Sequence, residues 1–301
     1  MPNWNDVLNE ILVFQSQGMQ ALDSIRRKYL LLLHGHTKRN VIAYYSGFLS
    51  KPTVEQSEIT DEDKNGFMMC IHHLDRSKGL DLILHTPGGS IGATESIVDY
   101  LRRMFGKDIR AIVPQIAMSA GTMIACSCKE IVMAKHSNLG PIDPHLRGVP
   151  AIGVKEEFER ACDEVTENKS IIPIWQSIIG QYRPTFLSQC ENAIEWSKQF
   201  VGKELEEVMF SGERDAAKKA RNVVKKLTAY SGNKSHDRHI HIDECQQMGL
   251  KVVPLENDGV FQDLVLTVHH CYMHAFQNTL CFKAIENHKG MALFKNIAPK
   301  M

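Results

Sequence analysis

The first half of the chain alternates short apolar runs with segments of helical periodicity. Four apolar runs have the length and β-branched content of buried strands: 40–46, 80–85, 109–114 and 130–134. Residues 93–105, between the second and third runs, repeat apolar positions at helical spacing and end at Gly106. Strands that alternate with helices at this spacing predict βα crossovers, a mainly parallel sheet and an α/β fold.

The two ends of the chain are predicted to be mainly helical. An amphipathic helix is expected over about 4–30, and another over roughly 62–76. From 154 onward the pattern predicts helices at 154–168, 170–180, 184–200, 202–210, 213–228, 242–248 and 260–285. A closing strand is expected at 250–253. Because the chain contains no internal repeat, we expect residues 1–301 to form a single domain, with 154–301 as a helical extension packed on the sheet.

Composition narrows the class of protein. The 301 residues are 43% hydrophobic, and 35 basic residues balance 35 acidic ones, so no nucleic-acid partner is expected. The eight cysteines form no CxxC pair, and no secretory leader precedes them. No apolar run approaches the ~20 residues that a membrane-spanning helix needs. We therefore expect a cytoplasmic protein with reduced cysteines and no membrane anchor.

Two glycine-bearing turns follow predicted strands and carry the candidate chemistry. In 86–90, Thr-Pro-Gly-Gly-Ser, Gly88 and Gly89 let the backbone approach a ligand and turn its N–H groups outward. In 118–122, Met-Ser-Ala-Gly-Thr, Ser119 has small neighbours and precedes an apolar helix. Taken singly, a plain turn and an ordinary N-cap serine are the commoner interpretations.

Together these motifs match a family pattern. The segment 80–144 contains HTPGGS, then AMSAGTMIA, then SNLGPIDP, in that order. It resembles the serine dehydrogenase proteinase family, whose relatives include signal peptide peptidase A and the proteolytic subunit of the Clp protease. Weaker similarity extends along nearly the whole chain and includes HIDECQQMGL near the end.

The resemblance implies a fold, a site and a class of substrate. The fold would be the ClpP/crotonase type, a spiral of ββα units, with a helical second half. Ser119 would be the acylated nucleophile, and the N–H groups of the Gly88-Gly89 turn and of Ala120 would form the oxyanion hole. The substrate would be a peptide or protein, the protein would be a homo-oligomer, and no cofactor is expected.

The general base is the weak point of this prediction, because a serine hydroxyl needs a group that accepts its proton. Where the Clp pattern carries histidine, this chain has Ile142. Lys155 lies where relatives with a Ser-Lys dyad place their lysine, and it is the predicted base.

Two other candidates for the base stay open. His136 closely follows the strand at 130–134 and could approach Ser119, although a surface-loop histidine is the commoner interpretation. His85 directly precedes the Pro-Gly-Gly turn and is otherwise expected to line the site. Asp237 aligns with the Clp aspartate segment but has no matching histidine.

Other functions stay open at this stage. His236, His239 and His241 lack a carboxylate or cysteine at the spacing of a zinc site, so no metal is expected. The predicted function is a serine peptidase that acts through an acyl-enzyme. The alternatives are a crotonase-like acyl-CoA enzyme and an inactive scaffold or partner-binding module of the same fold.

Overall fold

The structure, a computed structural model, describes residues 4–16, 21–228 and 238–298. The α-helices in these ranges are α1 Trp4–Ser16, α2 Ala21–Thr37, α3 Asp63–Ile71, α4 Ile91–Phe105, α5 Ala120–Cys126, α6 Ala151–Glu167, α7 Ile172–Ile179, α8 Phe186–Glu204, α9 Ala216–Leu227, α10 Ile242–Met248 and α11 Gly259–Asn278. A π-helical turn, Leu205–Met209, continues α8.

The strands fall into three sheets. They are β1 Asn40–Ser46, β2 Leu80–His85, β3 Ile109–Val113, β4 Ile116–Ala117, β5 Glu130–Met133, β6 Asn138–Leu139, β7 His145–Leu146, β8 Val149–Pro150, β9 Ile240–His241, β10 Val252–Pro254, β11 Cys281–Asn287 and β12 Ala292–Asn296. The main sheet has the order β10-β5-β3-β2-β1-β11-β12, with a second sheet β4-β6-β9 and a hairpin β7-β8.

The first five strands of the main sheet run parallel, and the last two are antiparallel to their neighbours. In the register, Leu82 of β2 lies beside Ile42 on one side and Ala111 on the other. All six residues of β2 are buried, as expected for a central parallel strand that helices cover on both faces. The predicted α/β class with a mainly parallel sheet is confirmed.

Side chains alternate between the two faces of the sheet and build a three-layer molecule. Ile42 and Tyr44 of β1 belong to the core under α4 and α5. Val41, Ala43 and Tyr45 point the other way, into the core formed with α2 and α11. This alternation is the two-residue period of a strand, and it places the sheet between two layers of helices.

The end of the chain differs from the prediction. The helix predicted over 260–285 stops at Asn278, and Cys281–Asn287 forms strand β11 beside β1. This part of the prediction was wrong because the local pattern around Lys283 and Glu286 does not distinguish a helix from a strand with buried polar partners. At the other end, helical structure continues past the predicted boundary at residue 30 and ends at Thr37.

Helices α6 and α8 follow the β7-β8 hairpin. They contact each other through a small apolar cluster that includes Val154 and Cys190. Within the described ranges, no helix is both long and apolar enough to cross a membrane.

Candidate active site

The Gly88-Gly89 turn follows β2 in a conformation that requires glycine. Gly88 has φ +103° and Gly89 has φ +152°. A Cβ on Gly89 would lie 2.3 Å from the backbone nitrogen of Ile59 and 2.4 Å from its oxygen. Any side chain at this position would therefore push the two segments apart.

The segment Glu58–Thr60, called the wall segment below, lies against this turn. Ile59 donates its N–H to the carbonyl of Gly88 at 2.7 Å, and its own carbonyl accepts from the N–H of Ser90 at 3.0 Å. This pattern is a parallel bridge between Ile59 and Gly89. Because the bridge uses the groups of Gly88 and Ser90, it leaves the N–H of Gly89 directed away from the wall segment.

Ser119 occupies a strained turn between β4 and α5. Its φ is +50° and its ψ −114°, a region that residues with a Cβ rarely adopt. Its hydroxyl makes no capping hydrogen bond within the described structure, whereas Ser90 caps α4 by accepting from the N–H of Ala93 at 3.2 Å. The geometry therefore disagrees with an ordinary N-cap serine and matches a sharp strand-to-helix turn that exposes a nucleophile.

Backbone contacts hold the two turns together. Thr86 donates its N–H to the carbonyl of Ile116 at 3.2 Å, and Met118 donates to the carbonyl of Thr86 at 3.0 Å. A Cβ on Gly88 would lie 2.7 Å from the Cβ of Ser119 and 3.1 Å from the nitrogen of Ala120. The serine turn and the glycine turn are thus in direct contact.

The N–H groups near Ser119 have different surroundings. Gly88 donates its N–H to the hydroxyl of Thr86 at 3.2 Å. Among the described residues, neither the N–H of Gly89 nor that of Ala120 has an acceptor. The N–H of Gly88 is therefore bonded within its own turn, whereas, among the described residues, the N–H groups of Gly89 and Ala120 are free to donate to a ligand.

A cleft of about 590 Å³ opens above Ser119. It is lined mainly by apolar side chains, with Glu58 and His145 as the ionisable ones among the described residues. The lining residues are Glu58, Ile59, Thr60, Pro87, Gly89, Ser90, Ile91, Gly92, Ser119, Met123, Pro144, His145, Leu146, Ala193 and Trp196. A cleft of this size and composition can hold several residues of an extended peptide.

The predicted base, Lys155, lies outside this lining. It is on α6 with a side chain that is 45% exposed, and its Nζ is 3.6 Å from a carboxylate oxygen of Glu159. Ile142, at the position of the Clp histidine, is fully buried in the core, as its apolar side chain requires.

The two histidines that were candidates for the base or for the lining of the site lie elsewhere. His85 is buried behind the turn, where its Nδ1 donates to the carbonyl of Ser46 at 2.9 Å. Burial lowers the pKa of His85 to about 4, so its imidazole is neutral at pH 7. His136 is exposed and does not line the cleft. Asp237 lies outside the described residues.

Sequence reasoning missed three contributors to the cleft. His145 follows the SNLGPIDP motif directly, and this proximity was the signal that could have identified it. Trp196 reaches the cleft from α8, 43% exposed, with its indole N–H bonded to Glu95 at 2.9 Å. The wall segment comes from the loop before α3. Within the described ranges, no group of three or more His, Cys, Asp or Glu side chains could hold a metal ion.

Comparison with known protein families is decisive for the class of protein. The profile of the ClpP-like SDH-type serine proteinases matches residues 7–274. The chain belongs to this family. The predicted resemblance and the ClpP-type fold are thereby confirmed, and membership of the family supports a peptidase.

Two relatives are uncharacterized proteins of Methanocaldococcus jannaschii, MJ1495 and MJ0137. Each is 30% identical to this chain, over 196 and 195 residues respectively, which is 64% of this chain. The chain spans 59% and 60% of the lengths of these two relatives.

Two solved structures of similar fold are mutants of the 1510-N membrane-bound stomatin-specific protease. A serine-to-alanine mutant has a TM-score of 0.38 and 18% identity, covering 65% of this chain and 74% of that one. A lysine-to-alanine mutant in complex with a substrate peptide has a TM-score of 0.40 and 17% identity, covering 65% and 70%.

Proposed function

We propose that the protein is a serine peptidase that cleaves peptide bonds through an acyl-enzyme on Ser119. The observation that carries this proposal is the strained φ of Ser119, +50°, next to the unbonded N–H groups of Gly89 and Ala120. A strained, uncapped serine beside two unused donors is the arrangement that acyl transfer requires.

The proposed chemistry has two steps. In the first, the Oγ of Ser119 attacks the carbonyl carbon of the scissile peptide bond while a base takes its proton. The resulting oxyanion accepts hydrogen bonds from Gly89 and Ala120. The C–N bond then breaks, the amine leaves with the proton, and an ester remains on Ser119. In the second step, water attacks the ester and releases the acid.

We propose His145 as the base in place of Lys155. Imidazole is the side chain that most often accepts a proton as a general base in proteins. A lysine must first be desolvated to do so, and Lys155 is 45% exposed and beside Glu159. His145 lines the same cleft as Ser119, and Glu58 is the other ionisable group there.

A fluorophosphonate probe tests the nucleophile. We expect the wild type to be labelled and Ser119→Ala to be inert. Ser127→Ala is a matched control because Ser127 lies at the other end of the same helix, where its hydroxyl donates to the carbonyl of Met123. Equal labelling of Ser119→Ala and wild type would refute the peptidase mechanism. A wild type that is folded but never labelled would support the inactive-scaffold alternative.

The same probe identifies the base. We expect His145→Gln to slow labelling by ~10²-fold or more, whereas Lys155→Met should be labelled normally. The converse result, loss of labelling in Lys155→Met with normal labelling in His145→Gln, would restore the lysine dyad.

A peptide substrate, a homo-oligomeric assembly and a cytoplasmic location remain part of this proposal. The apolar lining of the cleft supports a peptide with apolar side chains. Light scattering on the purified protein would test the assembly, and a strictly monomeric protein would remove that part of the proposal.

A further inference from the structure

A buried ion pair lies beneath the wall segment. Lys283 of β11 and Asp63 of α3 are both fully buried, with the Nζ at 3.1 and 3.0 Å from the two carboxylate oxygens. Tyr44 of β1 donates its hydroxyl to the same carboxylate at 2.8 Å. Burial lowers the pKa of Lys283, and the charge of Asp63 opposes that effect.

The pair holds the wall segment at both ends. Lys283 donates to the carbonyl of Glu58 at 2.5 Å. Asp63 accepts the backbone N–H of Thr60 at 2.9 Å. Between these anchors lies Ile59, which is bridged to the glycine turn. The position of the wall segment therefore depends on two side chains that do not themselves line the cleft.

Stability alone is a weak reason for such a pair. Removing two charges from water is unfavourable, and apolar side chains of similar volume often give an equally stable protein. What apolar side chains cannot do is donate to the carbonyl of Glu58 or accept from the N–H of Thr60. The hydrogen bonds of the pair therefore determine where the wall segment lies.

We propose that Lys283 and Asp63 are positioning residues for the oxyanion hole. They fix the wall segment, which in turn sets the direction of the N–H of Gly89. This inference rests on the proposed peptidase function, because an oxyanion hole has meaning only if Ser119 reacts.

The test replaces the pair by apolar residues, in Lys283→Met/Asp63→Leu. The double change is preferred because Asp63→Leu alone would leave the buried ammonium group of Lys283 without its carboxylate. The measurements are the thermal unfolding midpoint and the kinetics of fluorophosphonate labelling, resolved into the maximal rate and the half-saturating probe concentration. We expect a folded protein whose maximal labelling rate falls ~10-fold or more while half-saturation is unchanged, since loss of an oxyanion donor lowers rates ~10²–10³-fold.

A second buried pair on the same strand is the matched control. Glu286 of β11 accepts from Arg26 of α2 at 2.5 Å, with side chains 0% and 2% exposed. This pair lies on the opposite face of the sheet, and the described hydrogen-bond partners of Glu286 are Arg26, Arg27 and Tyr272, none of which belongs to the wall segment. Arg26→Met/Glu286→Leu should therefore label at the wild-type maximal rate while it remains folded.

A further variant keeps the proposal testable if the double change prevents folding. In Lys283→Met, Asp63 retains a countercharge from Lys295, whose Nζ is 3.3 Å away, but the bond to the carbonyl of Glu58 is lost. We expect it to fold and to label more slowly than wild type.

Several results would overturn the inference while Ser119-dependent labelling persists in the wild type. One is a maximal labelling rate equal to that of the wild type, measured in the folded double variant or, if that variant does not fold, in Lys283→Met. Another is equal slowing by the control pair, which would indicate a general effect of lost stability. If the wild type is not labelled at Ser119, the proposed function itself fails, and the inference fails with it.

Discussion

Replacing Gly88 by alanine places a methyl group between the two turns of the candidate site. At this position φ is +103°, and the new Cβ would lie 2.7 Å from the Cβ of Ser119 and 2.9 Å from the carbonyl oxygen of Met118. Gly249, which ends α10, is a matched control because its φ is +100° and nothing lies within 4 Å of its Cβ position. Both substitutions strain the backbone, but only the alanine at position 88 also places its methyl group in space that other atoms already occupy.

The magnitudes follow from this difference. A side chain at positive φ destabilises by ~1–3 kcal/mol, and this penalty applies to both variants. At position 88 the Cβ is about 0.7 Å closer than the 3.4 Å of ordinary contact, and such overpacking adds ~1–3 kcal/mol. We therefore expect the free energy of unfolding to fall by ~1–3 kcal/mol in Gly249→Ala and by ~2–6 kcal/mol in Gly88→Ala.

The effect on activity should separate the variants further. To relieve the contact, Ser119 must move by a fraction of an ångström, and a displacement near 1 Å in a reacting geometry lowers rates up to ~10²-fold. Urea denaturation gives the stabilities, and fluorophosphonate labelling of folded protein gives the reactivity. We expect labelling of Gly88→Ala to slow by ~10–100-fold and that of Gly249→Ala to stay normal. Equal labelling of the two folded variants would refute the contact argument.

Three further predictions concern the core, the pH dependence and the cleft. Leu82→Ala, in the middle of the main sheet, should lower the free energy of unfolding by ~2–5 kcal/mol, whereas Leu12→Ala, 51% exposed, should change it by less than ~0.5 kcal/mol in the same urea titrations. Because burial lowers the pKa of His85 to about 4, only the unfolded state binds that proton between pH ~6.5 and 4. The contribution of neutral His85 to the free energy of unfolding is thus complete above pH ~6.5 and falls on acidification, by about 2 kcal/mol at pH 5. If His85→Asn shows the same dependence of this free energy on pH as the wild type, the prediction is wrong. Trp196→Ala should raise the KM for a casein-derived peptide without slowing labelling by a small fluorophosphonate, and a normal KM would exclude Trp196 from peptide binding.

The sequence by itself determined the parallel sheet and the two turns of the candidate site. Strands such as Leu80–His85 are buried on both faces, so their continuous apolar runs are visible without any partner. The turns at the glycines and at Ser119 can likewise be predicted from the local sequence, because a turn conformation depends on neighbours in the chain. Even so, the sequence favoured an N-cap for Ser119 when the motif was taken alone, and only its φ of +50° separated the two interpretations.

Only the tertiary structure decided which side chains surround those turns. The cleft joins Glu58, His145 and Trp196, which come from a loop, a strand and a helix, and Lys155 lies outside it. Strand β11 was predicted as helix, because its pairing with β1 joins distant parts of the chain and Lys283 becomes acceptable as a buried residue only beside Asp63. The local pattern of apolar and polar residues predicts the conformation of a segment. The distances between remote segments depend on how the whole sheet packs, and no short stretch of sequence contains that information.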